Sequence, residues 1–220
     1  MKKIKVIIFD AYGTLFDVNS AAEKCKEKIG DKWESFANYW RTTQLEYTWL
    51  RSLMKRHKDF WQVTEDSLDK SLLAFKIDPN MRSELLNLYK ILNTFPEVKD
   101  VLKNLKEKKY KISILSNGTP DLLDALVKSN DLEKMFDDIF SIEEVGIYKP
   151  DEKVYDMPIK KYKVEKNEVA FLSANTWDVS GAGNFGLNAI WVNRNKNIFD
   201  KLDYIPHNEI NNLNGLLKLI

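Results

Sequence analysis

Several features that define other classes of protein are scarce in this chain of 220 residues. It has a single cysteine, Cys25, so an intrachain disulfide is excluded. No apolar run reaches the length that a membrane-spanning helix needs. A strand is predicted within a few residues of Met1, which leaves no room for a signal peptide. These absences predict a soluble protein of the cytoplasm.

Neither sign of charge is in surplus, because 34 Lys and Arg residues face 33 Asp and Glu residues. Such a balance gives no electrostatic reason to expect nucleic acid or a membrane surface as a partner. The expected partner is therefore a small molecule. A hydrophobic content of 44% is ample for a sizeable core, and the length suits one core domain with an insertion.

Short apolar runs alternate with helical patterns along most of the chain. The runs that read as strands are Val6–Phe9, Lys111–Ser116, Ile139–Ser141, Val169–Leu172 and Ala189–Val192. Strands that alternate with helices predict an α/β fold with a parallel sheet. Near the end of the chain, Ile210, Leu213 and Leu217 have the spacing of a closing amphipathic helix.

One long stretch, from about Asn19 to Asn93, has helical patterns and no convincing strand. It is also rich in aromatic residues, which could line an apolar pocket or pack helices together. We interpret residues 17–95 as a helical cap domain, inserted into a core domain formed by residues 1–16 and 96–220. The cap is expected to lie over the reactive edge of the sheet.

Polar residues follow several of the predicted strands. Asp10 ends the first strand, Ser116 and Asn117 end the second, and the segment 173–178 follows a later one. In open parallel sheets the reactive groups lie beyond the carboxyl ends of the strands. Each residue alone has an ordinary alternative, since Asp10 could simply form a turn and the loop residue Lys149 could simply be solvated.

The segment Asp10-Ala11-Tyr12-Gly13-Thr14-Leu15 resembles the first motif of the haloacid dehalogenase superfamily, in which the leading Asp is a nucleophile. Residues that match the four core motifs occur in the order of that family: Asp10, Ser116, Lys149 and Asp178. The resemblance covers nearly the whole chain. It implies a Rossmann-like parallel core with an inserted cap.

Most members of the superfamily handle phosphate and carry a second Asp two residues after the first. This chain has Tyr12 there, and a phenol with a pKa of about 10 is a poor general acid near neutral pH. At the fourth motif, Ala174 stands where those relatives have a leading Asp, and it offers Mg²⁺ no oxygen. The sequence therefore predicts no metal and no cofactor, and it resembles the 2-haloacid dehalogenase branch.

That branch converts (S)-2-haloacids into (R)-2-hydroxyacids. The resemblance implies that Asp10 attacks the carbon bearing the halogen and that water then hydrolyses the resulting ester. The catalytic group that it implies consists of Asp10, Thr14, Lys149, Ser173, Asn175 and Asp178. Lys149 would supply the counter-charge, since an opposite charge nearby lowers a carboxylate pKa by about 1–3 units.

A substrate carboxylate also needs a donor, and the planar guanidinium of Arg41 suits it. The ordinary alternative for Arg41 is a surface ion pair. On the other side of the substrate, the resemblance implies contacts from Ala11, Tyr12, Ser116 and Asn117. Tyr155 and Trp177 are expected to support the site, with core packing as the alternative for Tyr155.

Two other functions remain open at this point. A metal-dependent phosphatase of the same fold would need Asp178 and a further acid to hold Mg²⁺. A non-catalytic binding protein would keep the core but lose the reactive groups, and Asp10, Lys149 and Asp178 are all present. Similar dehalogenases are often homodimers, so we also expect a homodimer.

Overall fold

The computed structural model describes residues 4–206 and 208–220. Its centre is a sheet of six strands in the order β3-β2-β1-β4-β5-β6, and every neighbouring pair is parallel. The strands are β1 (Val6–Phe9), β2 (Lys111–Ser116), β3 (Asp138–Ser141), β4 (Val169–Ser173), β5 (Asn188–Val192) and β6 (Asn208–Ile210). The predicted α/β class with a parallel sheet is confirmed.

The α-helices of the described residues fall into two groups along the chain. Five lie between β1 and β2 before the core resumes: α1 (Ser20–Lys24), α2 (Lys26–Ile29), α3 (Trp33–Leu53), α4 (Phe60–Phe75) and α5 (Arg82–Tyr89). The other four are α6 (Val98–Glu107), α7 (Pro120–Ser129), α8 (Glu152–Tyr162) and α9 (Thr176–Phe185). Within the described part of the chain, no helix combines the length and apolarity that crossing a membrane requires.

The position of β1 in the sheet determines where the polar strand ends meet. All side chains of β1 and β4 are buried, as expected for apolar strands covered on both faces. Phe9 pairs with Ile114 of β2 and with Leu172 of β4, so the residues after these strands share one edge. The strand order reverses between β1 and β4, and ligands of open α/β sheets bind at such a crevice.

The helical segment α1–α5 leaves and rejoins the core at one place. The amide of Asp17 donates to the carbonyl of Asn93 at 2.8 Å, and the amide of Phe95 donates to the carbonyl of Leu15 at 3.1 Å. Between these crossing points, the residues form helices and turns, as the sequence predicts. The segment is therefore attached immediately after the first strand and its turn.

The prediction of a closing helix is wrong for Ile210, whereas Leu213 and Leu217 lie in a short 3₁₀ helix. Ile210 lies in β6, where it pairs with Val192 at the edge of the sheet. The side chain of Asn212 then accepts a hydrogen bond from the amide of Asn214 and starts a 3₁₀ helix, Leu213–Lys218. The spacing of the apolar residues fits a helix, but pairing with the exposed edge of β5 satisfies the backbone of residues 208–210 instead.

Gly181 allows α9 to approach the segment around Lys149. A Cβ atom at this position would lie 2.6 Å from Cβ of Pro150 and 2.7 Å from the hydroxyl oxygen of Tyr155. Both distances are too short for a real contact, so a larger residue would have to displace its neighbours.

We expect Gly181→Ala to lower the free energy of unfolding by about 1–3 kcal/mol, because the added methyl overpacks this contact. The sign of this change is informative, because Gly→Ala inside a helix with room for the methyl group raises the free energy of unfolding by about 1 kcal/mol. Urea unfolding measures the difference. Asn87→Ala, at an exposed position of α5, serves as the control and should not be destabilised. Equal stability of Gly181→Ala and the wild type would contradict the packing described here.

Candidate active site

Asp10 lies at the end of β1, where its amide donates to the carbonyl of Leu172 at 2.9 Å. Its side chain is almost fully buried, with 5% of the residue exposed. The two carboxylate oxygens have different surroundings. Oδ2 accepts hydrogen bonds from Thr14 at 2.9 Å, Asn175 at 2.9 Å and Ser173 at 3.4 Å, whereas Oδ1 faces Lys149 Nζ at 3.1 Å.

The turn after β1 presents Thr14, one of these donors. Gly13 has a φ of +88°, a conformation that favours glycine, and its amide donates to the carbonyl of Phe16 at 2.7 Å. The Thr14 hydroxyl donates to Asp10 and accepts from the amide of Ala174 at 2.8 Å. The turn after β1 is thereby bonded to the loop after β4, as the predicted parallel arrangement requires.

Lys149 connects two carboxylates that lie far apart in the sequence. Its ammonium lies 3.1 Å from Asp10 and 3.0 Å from Asp178, and neither Lys149 nor Asp178 has measurable exposure. Burial alone would lower the pKa of Lys149, but the two carboxylates outweigh it and raise that pKa. Lys149 is therefore a cation in this structure, and the alternative of a solvated loop lysine is wrong.

Asp178 lies in the first turn of α9 and differs electrostatically from a surface carboxylate. Burial raises the pKa of Asp178 to about 6, although Lys149 acts in the opposite direction. The Tyr155 hydroxyl donates to Asp178 Oδ1 at 2.7 Å, which favours the ionised form. Tyr155 thus supports the site through Asp178, in addition to being fully buried.

A divalent cation of the kind that phosphate-handling relatives use does not fit these residues. The space between Asp10 and Asp178 is taken by the ammonium of Lys149. Ala174 provides no side-chain oxygen, and a hard cation needs several. Among residues 4–206 and 208–220, no three His, Cys, Asp or Glu side chains are grouped so that they could hold a metal ion.

Tyr12 occupies the position of the missing second Asp and is packed between aromatic rings. Its ring centroid lies 5.1 Å from that of Phe60 and 5.6 Å from that of Tyr89. Burial raises the pKa of Tyr12 well above its ordinary value, so the phenol stays neutral. Its hydroxyl is buried and has no hydrogen-bond partner among the described residues. The ring of Tyr12 therefore forms an apolar surface of the site, and its hydroxyl is available as a hydrogen-bond donor.

Arg41 comes from α3 in the helical segment and reaches the turn after β1. Its Nη2 donates to the carbonyl of Tyr12 at 3.5 Å, and Asn175 donates to the same carbonyl at 3.2 Å. Arg41 is partly buried and, within the described residues, no carboxylate forms an ion pair with it. The alternative of a surface ion pair is therefore wrong for Arg41.

Ser116 and Asn117 lie at the end of β2, and both are buried. The amide of Lys149 donates to Asn117 Oδ1 at 3.1 Å, so Asn117 holds the backbone that presents the lysine. Ser116 accepts from the amide of Gly118 at 3.0 Å, which leaves its hydroxyl proton for another acceptor.

Two expected site residues are placed differently from the others. The carbonyl of Ala11 accepts from the amides of Thr14, Leu15 and Phe16, so this residue organises the turn after β1. Trp177 lies in α9 with its ring edge-on to Trp49 of α3, at 5.4 Å between centroids. Trp177 therefore contacts the helical segment, and no polar contact joins it to Asp10 in the described chain.

Sequence reasoning missed two residues that hold the site residues in place. Gln44 accepts from Arg41 Nη1 at 2.9 Å, and Arg194 donates from Nη2 to the carbonyl of Thr14 at 2.8 Å. Arg194 also pairs with Glu97 at 2.6 Å. The position of Gln44 one helical turn after Arg41 was a usable signal. The sequence around Arg194 gave no sign of a contact with Thr14, which lies 180 positions earlier.

Comparison with known proteins identifies the family of the chain. A family model described as haloacid dehalogenase-like hydrolase matches residues 4–186. The chain is 40% identical over 221 residues to the (S)-2-haloacid dehalogenase of Pseudomonas sp. (strain YL), a match that covers 100% of this chain and 95% of that protein.

Solved structures give the same result. A crystal structure described as that of a dehalogenase has a TM-score of 0.97 at 35% identity and covers 100% of this chain and 98% of its own. The L-2-haloacid dehalogenase from Xanthobacter autotrophicus with chloropropionic acid covalently bound has a TM-score of 0.91 at 32% identity, with 98% of each chain covered. The chain belongs to the haloacid dehalogenase-like hydrolase family.

Proposed function

We propose that this protein is an (S)-2-haloacid dehalogenase, which hydrolyses short (S)-2-haloacids to (R)-2-hydroxyacids and halide through an ester on Asp10. The observation that carries the proposal is the buried Asp10 carboxylate, held by donors on Oδ2 and faced by Lys149 on Oδ1. The names of the relatives support it, as does the chloropropionic acid covalently bound in the Xanthobacter structure.

The two oxygens of Asp10 are suited to different tasks. Oδ2 already accepts from Thr14, Asn175 and Ser173. Among the described residues, Oδ1 accepts only from Lys149, so it is the oxygen that keeps a lone pair for attack on carbon. In the resulting ester Oδ2 becomes the carbonyl oxygen. The same three donors then stabilise the negative charge that develops on it when water attacks.

The first step needs no proton donor at the leaving group. A halide departs as a stable anion, unlike the oxygen of a phosphate ester, so the neutral Tyr12 at the second-Asp position is no obstacle. Arg41 would bind the carboxylate of the substrate through its guanidinium. Ser116 and Asn117, with Ala11 and Tyr12 beside them, would contact the opposite side. The halide is displaced once, as Oδ1 attacks the carbon from the side opposite the halogen, which inverts the configuration of that carbon.

The second step needs a base, and Asp178 has the most suitable pKa. With a pKa of about 6, Asp178 is largely ionised at pH 7 and still basic enough to accept a proton from water. Water then attacks the ester carbonyl, with Ser173 and Asn175 orienting the reacting groups. The bond between the carbonyl carbon and Oδ1 then breaks, and the proton that Asp178 took from water passes to the departing oxygen, which becomes the hydroxyl group of the product. The Asp10 carboxylate is regenerated, and the inverted carbon does not react again.

In this proposal residues 17–95 form a cap domain and residues 1–16 and 96–220 form the core. The division is supported by the adjacent crossing points at Asp17–Asn93 and Leu15–Phe95. Arg41 would then be the contribution of the cap to a site otherwise built on the core. The homodimer and the cytoplasmic location expected from the resemblance stay predictions.

The direct test is incubation with racemic 2-chloropropionate. Only the (S) form should disappear, with one chloride released for each (R)-lactate formed, as followed by chiral chromatography and chloride titration. Because the site does not fit a divalent cation, activity should survive exhaustive EDTA treatment. Asp10→Asn is the inactive control. Loss of activity on chelation with recovery in Mg²⁺, or equal consumption of both enantiomers, would overturn the proposal.

A single turnover in ¹⁸O-labelled water separates covalent catalysis from direct attack by water. With enzyme in excess, the first (R)-lactate should carry ordinary oxygen from Asp10 in its new hydroxyl group. Label should enter the Asp10 peptide, as detected by mass spectrometry, because water attacks the ester carbonyl. Label in the new hydroxyl group at the first turnover, with none in the peptide, would show that Asp10 acts only as a base.

The pH profile tests the role of Asp178. Below about pH 6 its carboxylate is protonated and cannot accept a proton from water, so kcat should fall on the acid side. Tyr155→Phe removes a hydrogen bond that favours the ionised form, so the acid limb should move upward by about one pH unit. Tyr162→Phe removes a phenol that donates to Asp138 at 2.7 Å elsewhere in the fold and should not move it. An unshifted limb in Tyr155→Phe would rule out this coupling.

A further inference from the structure

Behind Arg41, inside the helical segment, lies a buried polar group centred on Gln44. Gln44 has an exposed fraction of 1% and lies one turn after Arg41 on α3. Its Oε1 accepts from Arg41 Nη1 at 2.9 Å. Its Nε2 donates to Thr64 Oγ1 at 2.7 Å and to the hydroxyl of Tyr89 at 3.0 Å. A buried amide that is fully bonded in this way is held in one orientation.

The chemistry of its partners determines that orientation. A guanidinium has only donors, so Arg41 must face the amide oxygen. The Thr64 hydroxyl donates a hydrogen bond to the carbonyl of Phe60 at 2.7 Å. Its oxygen can therefore only accept from the amide nitrogen of Gln44. Rotation of the amide by 180° would break both contacts. Gln44 therefore faces Arg41 with its amide oxygen and not with its amide nitrogen.

The oxygen that faces Arg41 is neutral. A carboxylate at the same place would pair with the guanidinium and cancel the charge that an anionic substrate needs. A purely apolar residue would leave the guanidinium oriented only by the 3.5 Å contact of Nη2 with the carbonyl of Tyr12. An amide avoids both problems, since it orients the cation and leaves its charge uncompensated.

We propose that Gln44 is a positioning residue, which aims the guanidinium of Arg41 at the substrate carboxylate and keeps its charge available. The inference rests on the proposed function, because it assigns the anion that Arg41 binds. Tyr89 and Thr64 form the rigid support of Gln44, so the geometry of the anion site depends on packing between α3, α4 and α5.

Two substitutions separate charge from orientation. Gln44→Glu keeps the size and the acceptor but adds a negative charge beside Arg41. The dissociation constant of propionate, a substrate analogue without halogen, should rise at least tenfold, and KM for (S)-2-chloropropionate should rise with it. Gln44→Met removes the acceptor without adding charge, so kcat/KM should fall about tenfold with a smaller change in propionate affinity.

The matched control is Gln62→Glu, the same chemical change at an exposed position of α4, where Gln62 donates to Asp66 at 2.9 Å. It should leave propionate binding and KM unchanged. Thermal unfolding of all variants shows whether they are folded. A Gln44 that serves only stability would lower the melting temperature and leave the propionate dissociation constant of the folded protein as it is, which would overturn the inference.

Calorimetric binding of propionate requires no turnover, so it reports on Gln44 independently of the reaction. If the wild type releases no halide from 2-chloropropionate, the proposed function fails. If the wild type is active and Gln44→Glu binds propionate as the wild type does, the function stands and the role of Gln44 is refuted. Arg41→Lys, measured alongside, should weaken propionate binding as well, since it keeps the charge but loses the planar fork.

Discussion

The interaction on which the site depends is the contact of Lys149 with two buried carboxylates. Charges removed from water are costly unless they are paired and hydrogen-bonded, and removal of one partner leaves the others uncompensated. The ammonium holds Asp10 at 3.1 Å and Asp178 at 3.0 Å and thereby ties together the ends of β1, the loop before α8 and the start of α9. The same three charged side chains include the nucleophile and the base that we propose.

Around these three charged groups, neutral side chains also contribute to the electrostatics of the site. Tyr12 stays a neutral phenol because it is buried, and Gln44 orients Arg41 without pairing with its charge. The three donors on one oxygen of Asp10 leave the other oxygen available. Such fixed dipoles need no rearrangement during the reaction, which is the physical basis of electrostatic preorganisation.

Two positions of the site differ from the pattern that the resemblance implies for phosphate-handling members of the superfamily. By that resemblance, Tyr12 stands where a general acid would be and Ala174 where a metal ligand would be, while Asp10 and Lys149 lie together at the edge of the sheet. A leaving halide needs neither a proton nor a metal to stabilise it. The loss of both groups is therefore consistent with the reaction that we propose.

The sequence by itself determined the parallel sheet and the strand ends that meet at its edge, because the spacing of apolar residues is a local signal. The pairing of Asp10 with Lys149 was predicted only through the resemblance of the four motifs to those of the family. The sequence did not determine β6, whose three residues pair only because an edge of β5 is open to them. It also did not reveal that Arg194 supports Thr14 or which oxygen of Asp10 is available. These features depend on contacts between segments that are distant in the sequence and on which residues become buried. Only the tertiary structure determines those contacts and that burial.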